Sequence, residues 1–200
     1  MVNVKSWQEK AVCYNTIEGE NMENTIHLPR WEELPHIDLY IDQVVTLLNQ
    51  WLYFLPSSEE QLITKSMINN YVKHGLVEAP KKKKYTTKHL AYLIVVCIFK
   101  QVYSMSEITQ MIRLQVHAYP IDLAYNYYIE DLELCIQAVL DGKPIIHAKP
   151  ADEPLRVILH SVNESLVNKY NVQRLLKEVS ETKNVEWHSF HLNYKYDIFI

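Results

Sequence analysis

Apolar residues recur along this chain at steps of three and four, the period of helices with one buried face. Leu39, Val44, Val45, Leu48, Trp51, Leu52 and Leu55 predict a helix over 38–55, with Asp38 as its N-cap and Pro56-Ser57-Ser58 as its stop. A short helix over 65–74 follows, capped by the Thr64 hydroxyl and ended by Gly75 in the left-handed position that helices use to stop. Met67, Ile68, Tyr71 and Val72 face inward there, which leaves Lys65, Asn69, Asn70 and Lys73 outward. A helix so short and polar needs its neighbours to hold it. The next helix runs from 86 or 87 to about 102, with Leu90, Leu93, Ile94, Cys97, Ile98 and Gln101 along one side. It is apolar nearly all round, so it should be the most buried.

Ser104 and Glu107 form a capping box that opens a helix through Ile108, Met111 and Ile112 to about 116, before a break at Pro120. A further helix covers 121–140 and ends at Asp141-Gly142. Three prolines mark 143–154 as a linker, and Leu155, Leu159, Val162, Leu166, Tyr170 and Leu176 predict a last helix over 155–179. Phe190, Leu192, Tyr194, Tyr196, Ile198 and Ile200 alternate as on one face of a strand. Residues 1–27 read as a loosely ordered leader, and the proline-bounded segment 28–35 as mostly non-helical. The expected fold is mostly α with a possible short terminal strand.

Composition narrows the function classes. The chain has 200 residues, 48% hydrophobic and 22% charged, as a protein with a sizeable core should. It has three glycines, at 19, 75 and 142, too few and too scattered for a P-loop or a Rossmann fingerprint. The first ten residues lack the layout of a signal peptide. The longest apolar run, 90–99, is about half the roughly 20 residues of a membrane span. A cytoplasmic protein without membrane contact is expected. Cys13, Cys97 and Cys135 are far apart and odd in number, which fits reduced thiols, with Cys97 and Cys135 in apolar helix faces.

Charge adds a second layer. Between residues 64 and 90 stand seven lysines and one acid, Glu78, a local +6 that leaves −10 for the rest of a chain of net −4. A basic patch on an acidic body is the electrostatic signature of a nucleic-acid binder. The order of elements around the patch carries the information: a helix, a short helix ending in Gly75-Leu76, a lysine-rich loop, an apolar helix, then a serine-capped helix.

The stretch Met67-Ile68-Asn69-Asn70-Tyr71-Val72-Lys73-His74-Gly75-Leu76-Val77 resembles the recognition helix and exit of the MerR family of winged-helix regulators. Pro80, the lysine run, Lys84-Tyr85, the 90–98 helix and Ser104-Met105-Ser106-Glu107-Ile108 fall where that family has its wing and next two helices. From about 28 to 179 the chain also resembles an uncharacterised bacterial family, known only as a domain of unknown function with a MerR-like segment. Leu28-Pro29-Arg30-Trp31 and Lys82-Lys83-Lys84-Tyr85 are telling stretches for it. The resemblance implies a winged helix-turn-helix over 28–118 and a helical sensor or oligomerisation module over 119–200. It further implies a transcription regulator that binds double-stranded DNA, as a homodimer by family habit, with an effector the sequence does not name. Two departures stand out: MerR relatives carry arginine where Asn69 stands, and an Arg-Tyr pair where Lys84-Tyr85 stands.

In such a fold the 65–74 helix enters a major groove. Lys65, Asn69 and Lys73 share a face at i, i+4 spacing, and asparagine can bond bidentately to adenine. Asn70 diverges from Asn69 by about 100° and would reach a different group. Lys81, Lys82, Lys83 and Lys84 would contact phosphates, giving affinity without sequence information. Tyr85 adjoins them, although Tyr71 and Tyr85 read first as packing residues. Tyr119, Tyr125, Tyr127 and Tyr128 can line an effector pocket, a protein surface or plain core. Glu130, Asp131 and Glu133 read as solvated helix charges. His188 and His191, with His160 upstream, lack ligand neighbours at zinc spacing, so no metal site and no cofactor are expected. No catalytic set can be argued from spacing, which makes an enzyme the least expected class. The rivals to a sequence-reading regulator are a winged-helix protein-docking module and a phage-type architectural factor that bends DNA.

Overall fold

A computed structural model describes residues 26–55 and 62–186, with side chains described to residue 180. The protein is mostly helical. After a one-turn 3-10 helix at Trp31–Glu33 come α1 (Ile41–Trp51), α2 (Lys65–Lys73), α3 (Thr87–Phe99), α4 (Met105–Ala118), α5 (Ile121–Leu140) and α6 (Pro154–Glu186). Among the described residues the only β pairing is two isolated bridges, Leu39 with Tyr85 and Lys81 with Lys84. The expected leader (1–27) and the alternating tail lie almost wholly outside the described residues.

The locally signalled boundaries fall where their caps put them. Thr64 Oγ1 accepts the Met67 amide at the start of α2. At its end Gly75 sits at φ +71°, with Leu76 N–H donating to Tyr71 O and Gly75 N–H to Val72 O, both at 3.0 Å. These two bonds make a Schellman end. Ser104 and Glu107 exchange their capping-box bonds at the start of α4.

The start of α1 differs from expectation. Asp38 does not cap, because Leu39 exchanges both backbone hydrogen bonds with Tyr85 at 2.8 Å, which holds the chain extended through 39. The helix therefore begins at Ile41, with the Gln43 side chain accepting the Tyr40 amide at 2.9 Å. It also ends at Trp51 rather than 55, yet Leu52 and Leu55 stay buried in the turn that follows.

One continuous core runs through the described chain. α3 is its axis, with ten of thirteen residues buried, and this all-round burial is why it carries almost no polar face. α1 packs on α2 and α3, α3 touches α6, and α5 lies along α6. Phe99 of α3 meets Tyr128 of α5 edge-to-face at 5.4 Å. The segment 28–31 straps onto α5: Leu28 N–H and the Arg30 guanidinium both bond Glu133 at 2.5 Å, and Trp31 N–H bonds Asn126 Oδ1 at 2.7 Å. Tyr125 completes the strap by donating its hydroxyl to Pro29 O at 2.8 Å. Glu133 is thus a half-buried anchor, not the solvated helix charge expected of it.

Candidate functional site

α2 presents Lys65, Asn69, Asn70 and Lys73 to solvent, while Ile68 and Tyr71 face the core. Its position relative to α1 is set by Asn49. The Asn49 side chain accepts the Ile63 amide at 3.0 Å and donates to Ile63 O at 2.8 Å, as a neighbouring strand would. The chain leaves α2 through buried Leu76 and Val77 and reaches a tight turn in which Lys84 N–H bonds Lys81 O at 2.9 Å. Lys82 and Lys83 both take left-handed backbone, at φ 50° and 62°. That is the pattern of a two-residue hairpin turn, which favours Asn-Gly because side chains with a Cβ are strained there by about 1 kcal/mol or more each.

The lysines are not equivalent. Lys65 is ion-paired with Asp42, Lys84 lies 3.6 Å from Asp38, and Lys88 lies 3.5 Å from Glu78. Lys73, Lys81, Lys82 and Lys83 are exposed and form no ion pair among the described residues. Tyr85 is buried, 3% exposed, and its ring packs edge-to-face on His89 at 5.5 Å. It is therefore a support beneath the hairpin, and its ring is not placed to stack on a base. His89 accepts the Thr86 amide through Nδ1 at 3.0 Å, and burial lowers its pKa below the usual histidine value.

Behind α3 lies a cavity of about 340 Å³ walled by α3, α4, α5 and α6. Tyr119, Tyr125, Tyr127 and Tyr128 all line it, together with Tyr92, Phe99 and Leu159. The polar ends of three of these tyrosines are already engaged, Tyr119 with Glu153, Tyr125 with Pro29 O at 2.8 Å and Tyr127 with His160 Nε2 at 3.1 Å. The wall left to a ligand is mainly aromatic and aliphatic.

A second constellation sits between α5 and α6. Asp131 is fully buried. Its Oδ1 accepts the Ala148 amide at 2.8 Å and its Oδ2 accepts Asn163 Nδ2 at 2.8 Å. His147, from the connection before α6, places Nδ1 3.0 Å from Asp131 Oδ2 and Nε2 3.1 Å from Glu164 Oε1. Cys135 Sγ lies 3.6 Å from that Nδ1, and the His160 ring stacks on His147 at 3.7 Å. Burial disfavours charge on His147, but its hydrogen bonds to Glu164 and Asp131 carry its pKa above the usual value. Burial and the neighbouring His147 hold His160 below it. Burial likewise pushes the Cys135 thiol up to about 12.

This cluster corrects two expectations. Asp131 is not a solvated charge, since its carboxylate is enclosed and accepts hydrogen bonds from the Ala148 amide and Asn163. Cys135 does not lie in a purely apolar face, since a histidine and a carboxylate adjoin it. The readable signal was the i, i+4 pairing of Asp131 with Cys135 and of His160 with Glu164, which puts each pair on one helix face. His188 and His191 lie outside the described residues.

A family model matches residues 29–128, described as Domain of unknown function (DUF1836). No curated protein and no solved structure matches the chain. The matched segment holds the 28–31 strap from Pro29 on, α1 to α4, the lysine turn and the first part of α5, and it stops short of Asp131.

Proposed function

We propose that this chain, which belongs to the DUF1836 family, is a DNA-binding transcription regulator built on a MerR-like winged helix-turn-helix. In this reading α2 enters a major groove with Lys65, Asn69 and Lys73, while Lys81 to Lys84 form a minimal wing on the adjacent backbone. The observation that carries it is the hairpin tip. Two lysines occupy left-handed positions that an Asn-Gly pair would fill with less strain, and both side chains are solvent-exposed and unpaired. Strain kept at a surface turn makes sense where the side chains themselves are needed. The tyrosine-lined cavity fits a small, largely apolar effector, and its walls include α3, the helix that follows the wing.

The test is fluorescence anisotropy of the full chain against a random pool of duplex DNA at low and moderate salt. The variant with Lys81, Lys82, Lys83 and Lys84 changed to alanine runs beside it. The expected result is salt-sensitive binding that the variant loses, with the log–log salt slope reduced by about 0.9 for each phosphate contact removed. Equal binding by both proteins at low salt overturns the wing. Absence of binding by the unaltered chain favours the docking module instead, a reading that the Lys65–Asp42 and Lys84–Asp38 pairs would suit.

A further inference from the structure

We propose that Asp131, Cys135, His147 and His160 form a site for one divalent transition-metal ion of the zinc type, held between α5 and α6. This site stands apart from the DNA-reading surface and does not depend on that reading. Helix pitch puts Asp131 and Cys135 on one face of α5, α6 brings His160, and the connection between the helices supplies His147.

Three of the donors already make a compact triangle. Asp131 Oδ2 to His147 Nδ1 is 3.0 Å, His147 Nδ1 to Cys135 Sγ is 3.6 Å, and Cys135 Sγ to Asp131 Oδ2 is 4.0 Å. Tetrahedral zinc, with bonds of roughly 2.0 Å to N or O and 2.3 Å to S, spaces its donors at roughly 3.3–3.6 Å. Each side of the triangle is within about half an ångström of that range. One ring nitrogen each of His147 and His160 and one carboxylate oxygen of Asp131 lie within 4.8 Å of one another. The parallel stack of the two imidazoles has to open for His160 to become the fourth ligand, because a metal in the plane of one ring lies off the plane of the other. Rotation of the His160 ring, with loss of its bond to Tyr127, does this.

The surroundings match a metal site better than a plain hydrogen-bond network. A ligating histidine commonly gives its outer N–H to a carboxylate, and His147 Nε2 faces Glu164 Oε1. Asp131 is oriented by two donors, the Ala148 amide on Oδ1 and Asn163 Nδ2 on Oδ2. Asn163, itself fully buried, leaves its Oδ1 without a hydrogen-bond partner in this same cluster. One carboxylate and one thiolate also neutralise a divalent charge, which a buried site requires. The thiolate and imidazoles select zinc, cobalt or nickel over magnesium and calcium.

The experiment is a titration of the chelator-stripped full chain with Co²⁺, followed by absorption, with Zn²⁺ then displacing the cobalt. One equivalent should bind with tetrahedral visible bands and a thiolate-to-cobalt charge-transfer band. Cys135→Ser should abolish the charge-transfer band. Glu164→Gln, at a half-exposed residue that leaves the four donors intact, should weaken affinity about tenfold or more. Cys13→Ser and the double change His188→Ala, His191→Ala should leave the spectrum unaltered. Absence of tetrahedral bands at one equivalent, or a charge-transfer band that survives Cys135→Ser, overturns the site. If Cys135→Ser fails to fold, Glu164→Gln decides: affinity unchanged by it overturns the site, and a tenfold loss supports it.

Discussion

Lys65, on the exposed face of α2, is ion-paired with Asp42 of α1. The two side chains are exposed, so the pair adds little to stability and is easily exchanged for a phosphate. Its effect is to withhold one cation and to set one anion beside the proposed interface.

Asp42→Asn should therefore tighten binding to random duplex DNA at low salt by about two- to fivefold, the equivalent of a weak surface pair. Thermal stability should change by less than about 0.5 kcal/mol. Anisotropy and a melting curve on one preparation check both. A loss of DNA affinity would place α2 outside the interface.

Replacing Lys82 with Asn and Lys83 with Gly should separate stability from binding. The turn relaxes, so unfolding in urea should cost roughly 1 kcal/mol more. Two phosphate contacts go, so the log–log salt slope should fall by about 1.8. A hairpin that merely closes a loop would give the first effect without the second.

His89 makes an acid-side prediction. Its folded pKa lies below the usual 6.5, so as pH falls the unfolded chain takes up the proton first. Its contribution is present in full above about 6.5 and is lost as pH falls through the lower folded value. The wild-type protein should lose more stability between pH 8 and pH 5 than His89→Gln does, read from urea midpoints. His89 accepts the Thr86 amide, so amides at the start of α3 should lose exchange protection in the same pH window.

Arg30→Ala should destabilise the fold by about 1.5–3 kcal/mol, the range for hydrogen bonds to a charged group, because Glu133 is left half-buried with one donor fewer. Chemical denaturation measures it. A cost near zero would mean that the strap on α5 is held by the bonds of Leu28, Trp31 and Tyr125 without it.

Local chemistry was legible in the sequence, and long-range placement was not. Gly75, Thr64 and the Ser104–Glu107 box fix helix ends through neighbours three to five residues away, so those ends could be read directly. The start of α1 depends on Leu39 meeting Tyr85, 46 residues further on, and a favourable N-cap at Asp38 gave no hint of that. Tyr85 reads as a packing residue and its ring is buried, but the partner that turns it inward, Leu39, stands 46 residues away. The Asp131 cluster needs α5 laid along α6 and His147 carried in on a proline-rich connection, which no single stretch of sequence encodes.

Asn49 concentrates the link between α1 and α2 in one side chain. It grips both backbone groups of Ile63, the residue just before the Thr64 cap. Two hydrogen bonds at one residue thus fix where α2 starts relative to α1, so a substitution at Asn49 would act at a distance on the exposed α2 face without touching it.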